Sequence, residues 1–112
     1  MSFQTIPDVI TFKEDYLQEM YRTGKTTNKK HRFQPAIIRK YIRIIDIMIE
    51  QDDVLELKKF NSLNYEKLKG NKAGLSSVRV NDKYRIEFEE KTIDNQSVAK
   101  ICNITDLSNH YN

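Results

Sequence analysis

Little in this chain of 112 residues suits redox, metal or membrane chemistry. It has one cysteine, Cys102. This residue stands in the apolar run 101–104, so it reads as a buried structural thiol and not as a nucleophile or half of a disulfide. No His, Cys and carboxylate cluster has ligand spacing, so no metal or cofactor is expected. Long apolar runs are also missing, because Asp46 interrupts the isoleucine-rich stretch well short of the roughly 18 residues that a membrane span needs. Residues 1–12 show no basic segment leading into an apolar one and no small-residue cleavage site, which points to the cytoplasm. Gly24-Lys25-Thr26 imitates the end of a phosphate-binding loop. That motif needs a glycine where Glu19 stands, and nucleoside triphosphate binding is discarded. With no repeat and no low-complexity segment, 38% hydrophobic and 10% aromatic residues predict one core and a single domain over 1–112.

Charge is present and unevenly placed. Residues 1–56 carry nine basic and nine acidic side chains, and 57–112 carry ten and seven. Lys67, Lys69, Lys72, Arg79, Lys83 and Arg85 share their stretch with one acid, Asp82. A phosphate-sized partner suits such a stretch, and so does a plainly solvated face. A second block, Arg22 to Arg43, has eight basic side chains and no acid.

Hydrophobic spacing divides the chain into two helices followed by short strands. Ile10 to Phe12 reads as a strand tip, and Phe12, Tyr16 and Met20 at four-residue intervals predict a first helix over 13–22 that Gly24 ends. Pro35 suits the first turn of a second helix, since its missing N–H would go unpaired there. From it Ile37, Tyr41, Ile44, Ile45 and Met48 form an apolar face, widened by Ile38, Ile42 and Ile49. After an acidic break at 51–56, the stretches 65–69, 76–80, 84–88 and 98–105 read as strands. The predicted class is α+β, a small antiparallel sheet packed against two N-terminal helices.

The stretch from Ser76 to Phe88 is the most informative. Strand side chains alternate faces, so Val78, Val80, Tyr84, Ile86 and Phe88 pack inward and Arg79 and Arg85 point outward. A three-residue loop, Asn81 to Lys83, keeps both apolar sets inward and sets Arg79 directly opposite Arg85. Like charges so placed cost a few tenths of a kcal/mol, and an anion between them reverses the sign. The alternative is that the arginines splay apart or pair with Glu87 and Asp82.

The runs Leu68-Lys69-Gly70-Asn71-Lys72-Ala73-Gly74, Ser77-Val78-Arg79-Val80-Asn81 and Tyr84-Arg85-Ile86 resemble the central signature of HigB toxins in the RelE superfamily. The flanking order agrees: Phe12-Lys13, Gly24-Lys25, the isoleucine-rich helix and a tail with His110-Tyr111. The resemblance implies a RelE-like fold and a metal-independent endoribonuclease that cuts translated messenger RNA on the ribosome by attack of a ribose 2′-hydroxyl on the adjacent phosphate. In that role Arg79 and Arg85 meet the scissile phosphate and Lys69 is a further phosphate contact or proton mediator. His110 serves in acid–base or stacking chemistry, Tyr111 stacks on a base, and Lys67, Lys72 and Lys83 assist RNA binding. His31, in a polar loop, reads as ordinary surface. Two departures stand out: Ser76 replaces the aromatic residue usual before the hairpin serine, and the order of His110 and Tyr111 leaves open which takes the family histidine's part. The implied partners are the ribosome, its message and a helix-turn-helix antitoxin of the HigA type, with operator DNA bound only through the toxin–antitoxin pair. A gyrase-poisoning toxin of the ParE kind and a non-enzymatic RNA- or ribosome-binding module are the rival readings.

Overall fold

A computed structural model describes residues 9–92 and 101–109. Five strands, β1 (Ile10–Phe12), β2 (Glu66–Lys67), β3 (Ser76–Arg79), β4 (Tyr84–Lys91) and β5 (Ile101–Asn109), form one sheet in the order β1-β5-β4-β3-β2. Two helices, α1 (Asp15–Thr23) and α2 (Pro35–Glu50), supply the second layer. The α+β class and the two N-terminal helices are as expected. The sheet is mixed and not antiparallel throughout, because β1 pairs parallel to β5, Ile10 opposite Cys102 and Phe12 opposite Ile104.

Local chemistry accounts for each helix. Asp15 sits in the first turn of α1, where a negative charge suits the helix dipole. Gly24 ends the helix in the left-handed region (φ 78°), its N–H donating to the Met20 carbonyl at 2.9 Å. Pro35 opens α2, and Ile38, Tyr41, Ile44, Ile45 and Met48 are buried along it. The Tyr41 hydroxyl donates to the Leu17 carbonyl at 2.8 Å and so ties α2 to α1. The acidic break holds a short 3-10 helix, Val54–Lys59, started by the Asp53 carboxylate accepting from the Glu56 N–H at 3.3 Å.

Val78, Ile86, Phe88 and Ile104 have no solvent exposure and Val80 almost none. Each such side chain contributes about 1.5–3 kcal/mol by burial. The hairpin register is the one that alternation predicts, Val78 opposite Ile86 and Arg79 opposite Arg85. Strand lengths differ from their sequence-based ranges. β2 shortens to two residues and β3 ends one residue early, at Arg79, while β4 runs three residues past Phe88, to Lys91, and β5 four past Thr105, to Asn109; residues 98–100, expected to open the last strand, lie outside the described residues. Between Glu87 and Phe88 the β4–β5 register shifts, and the Thr105 hydroxyl donates to the Glu87 carbonyl at 3.1 Å. Ser76 does not leave a gap: it is buried, and its hydroxyl donates to Glu90 at 2.5 Å.

Candidate functional site

Ladder pairing puts Glu66, Ser77, Arg79, Arg85 and Glu87 on one face of the sheet, away from the helices. Asn81 shapes the turn between the arginines, its side-chain carbonyl accepting from the Lys83 and Tyr84 N–H groups at 2.9 and 2.8 Å. The two guanidinium groups differ sharply. The Arg79 side chain is 47% exposed and pairs with Asp82, itself 89% exposed. Exposed pairs of this kind are worth about 0–1 kcal/mol, so a phosphate can replace Asp82 at little cost. Arg85 is 18% exposed, its Nε donates to Glu87 at 3.3 Å, and its Nη1 lies 3.9 Å from Glu66. Glu87, 3% exposed, also receives Lys72 Nζ at 2.6 Å. The outward arginines therefore do pair with Asp82 and Glu87, but one pair is exchangeable and the other holds its arginine in place.

A recess lined by Asn64, Glu66, Ser77, Arg79, Tyr84 and Arg85 runs along this face. A wider cleft of about 770 Å³ adjoins it across Tyr84 and Arg85. Lys69 and Lys72 line the cleft, as do Asp106 and Asn109 near the end of β5. Arg85 thus faces both openings. Lys83 lies in the turn with its Nζ 5.6 Å from the Tyr84 ring centroid. Lys67 pairs with Ser76, so alternation sets it on the opposite face from Arg79 and Arg85. His110 and Tyr111 lie outside the described residues; Asn109, which precedes them, sits opposite Tyr84 and next to the residue that faces Arg85.

Sequence reasoning passed over two groups. Glu66 is a half-exposed carboxylate in the recess, able to take a proton from a hydroxyl held near Arg79 and Arg85. Its place opposite Ser77, two residues before Arg79, comes from the β2–β3 register, which the sequence does not show. His31 is not ordinary surface: it lines the wider cleft and stacks on Tyr16 with ring centroids 3.8 Å apart and planes 3° from parallel. Cys102 behaves as expected of an inert thiol, since burial, helped by Glu90, pushes it up to about 12. Among the described residues no three His, Cys, Asp or Glu side chains converge to hold a metal, and no helix is long and apolar enough to cross a membrane.

The architecture is a small α+β sheet-and-helix layer with a cation-lined cleft at one end of its central strands. Residues 10–101 match the family described as RelE-like toxin of type II toxin-antitoxin system HigB, and the chain belongs to that family. Among solved structures, it is similar to one described as the YoeB-YefM complex from Staphylococcus aureus. The TM-score is 0.56 at 19% identity, over 95% of this chain and 100% of the other. A second, described as YoeB/ParE toxin from Agrobacterium tumefaciens, gives a TM-score of 0.49 at 17% identity over 91% and 98% of the two chains. No curated protein matches.

Proposed function

We propose that the chain is a ribosome-dependent messenger RNA interferase that needs no metal. The observation that carries this reading is the placement of Arg79 and Arg85 opposite each other across the β3–β4 ladder, with the Glu66 carboxylate in the same recess. An RNA phosphodiester bound between the guanidinium groups receives charge-assisted hydrogen bonds that strengthen as negative charge builds on the phosphorus oxygens. Glu66 accepts the proton of the ribose 2′-hydroxyl as its oxygen bonds to phosphorus. The bond to the 5′-oxygen breaks, and that oxygen takes a proton from His110. The products are a 2′,3′-cyclic phosphate end and a 5′-hydroxyl end. Lys69 and Lys72 hold flanking phosphates from the wider cleft, Lys83 extends the cationic rim, and Tyr111 stacks on a base. Lys67, on the other face, meets RNA only beyond the cleft.

The toxin is held in check in the cytoplasm by an antitoxin of the HigA type, and the pair binds operator DNA through the antitoxin. The structural neighbour described as a YoeB-YefM complex supports a protein partner. The test is to express the chain with and without Arg85→Ala, map message ends by primer extension, and repeat in a purified translation system with and without ribosomes. Cuts within translated messages that need both Arg85 and the ribosome are expected. Gyrase-linked DNA breaks favour a ParE-like poison, and arrest without cleavage favours a binding module.

A further inference from the structure

His31 occupies a wall of the wider cleft that the reaction above does not use. Its backbone N–H donates to the Asn28 carbonyl at 3.3 Å, and Asn28 Oδ1 accepts from the Lys30 N–H at 2.9 Å, a turn that sets the ring's position. One face of the imidazole lies flat on Tyr16. Tyr16 is itself buried, and its hydroxyl donates to Asp106 Oδ1 at 3.3 Å. Burial, and then Asp106, raises the pKa of that phenol, so it stays a neutral donor and the platform beneath His31 is fixed to β5. His31 keeps partial exposure and shares the cleft with Lys30, Lys69, Lys72 and Arg85. Rings interleaved with cations are the chemistry of single-stranded nucleic acid clefts, where bases stack on side-chain rings and cations follow the backbone.

We propose that His31 is a nucleobase-stacking platform. The base of a nucleotide next to the phosphate held by Arg85 extends the Tyr16–His31 stack, with Lys30 and Lys72 facing the neighbouring phosphates. This rests on the RNA-cleaving reading and narrows it to unpaired RNA whose base at that position is splayed out of its own stack.

The test uses a message with a non-cleavable 2′-deoxy linkage and 2-aminopurine placed in turn at each nucleotide flanking that linkage, both free and in a programmed ribosome. Stacking quenches the probe. The intact protein is expected to quench at one position. His31→Ala removes that quenching and weakens binding about tenfold. His31→Phe, which keeps a flat ring, restores both, and His31→Gln, which keeps only hydrogen bonding, restores neither. No position-specific quenching in either setting, quenching unchanged in His31→Ala, or rescue by Gln and not by Phe overturns the proposal. Cleavage by the intact protein and by Arg85→Ala is scored separately with an ordinary message. Absence of cleavage with stacking intact removes the nuclease, whereas Arg85-dependent cleavage without His31-dependent quenching removes the platform alone.

Discussion

Glu87 and Glu90 stand three residues apart on β4 and are satisfied in opposite ways. Glu87, on the outer face, holds two cations, Lys72 and Arg85. Glu90, on the face of Ser76, accepts from two neutral hydroxyls, those of Tyr65 and Ser76. A carboxylate set among cations fixes their positions and lowers the local positive charge, so it tunes how an anion is received. A carboxylate set among hydroxyls ties strands and loops together and adds nothing to an anion site. The same strand thus carries one acid that holds cations beside the cleft and another that holds neutral hydroxyls on the opposite face.

The largest effect that separates the surroundings of the two acids is expected from Arg85→Ala. Loss of a donor to the reacting phosphate lowers message cleavage by about 10²–10³-fold, while Glu90→Gln leaves it within about twofold, both read by primer extension. Glu87→Ala comes next: Lys72 and Arg85 lose their common partner, so urea unfolding shows a loss of about 1–3 kcal/mol and cleavage falls because Arg85 is no longer held. Equal cleavage in Glu87→Ala and wild type breaks the comparison. Tyr65→Phe removes one hydroxyl from Glu90 and costs about 1 kcal/mol of stability with cleavage unchanged.

The smallest effect is alkaline. The Cys102 thiol, ordinarily at 9.0, is pushed up to about 12 by burial and then by Glu90. Between these values the unfolded chain has lost the proton and the folded one keeps it, so stability falls as pH rises. Below about pH 8 this contribution vanishes, and at pH 9.5 it is under about 1 kcal/mol. A shallower alkaline slope in Cys102→Ala, by thermal unfolding, checks it.

Much of the hairpin was legible because side-chain alternation and loop length set its register without help from the rest of the chain. The isoleucine spacing of α2 was legible for the same local reason. The parallel pairing of β1 was not, since three residues carry no signal for a partner more than 90 positions away. Glu87 was legible as an outer-face partner for an arginine but its burial was not, because alternation says which face a residue takes and nothing about the loop whose Lys72 covers it. His31 was missed since its meaning comes from Tyr16 and Asp106, contacts that only tertiary packing creates. Lys67 was grouped with its basic neighbours by proximity in the chain, although adjacent strand residues point apart.

The position of β5 has a consequence for synthesis. This last strand lies between the first strand and the hairpin, so a nascent chain that stops before Ile101 has no way to join them. Its Ile10 to Phe12 segment lacks a neighbour, and β4 is an open edge next to Arg85. The wall of the cleft that β5 supplies beside Arg85 is therefore the part of it made last, after both arginines and the hairpin that carries them.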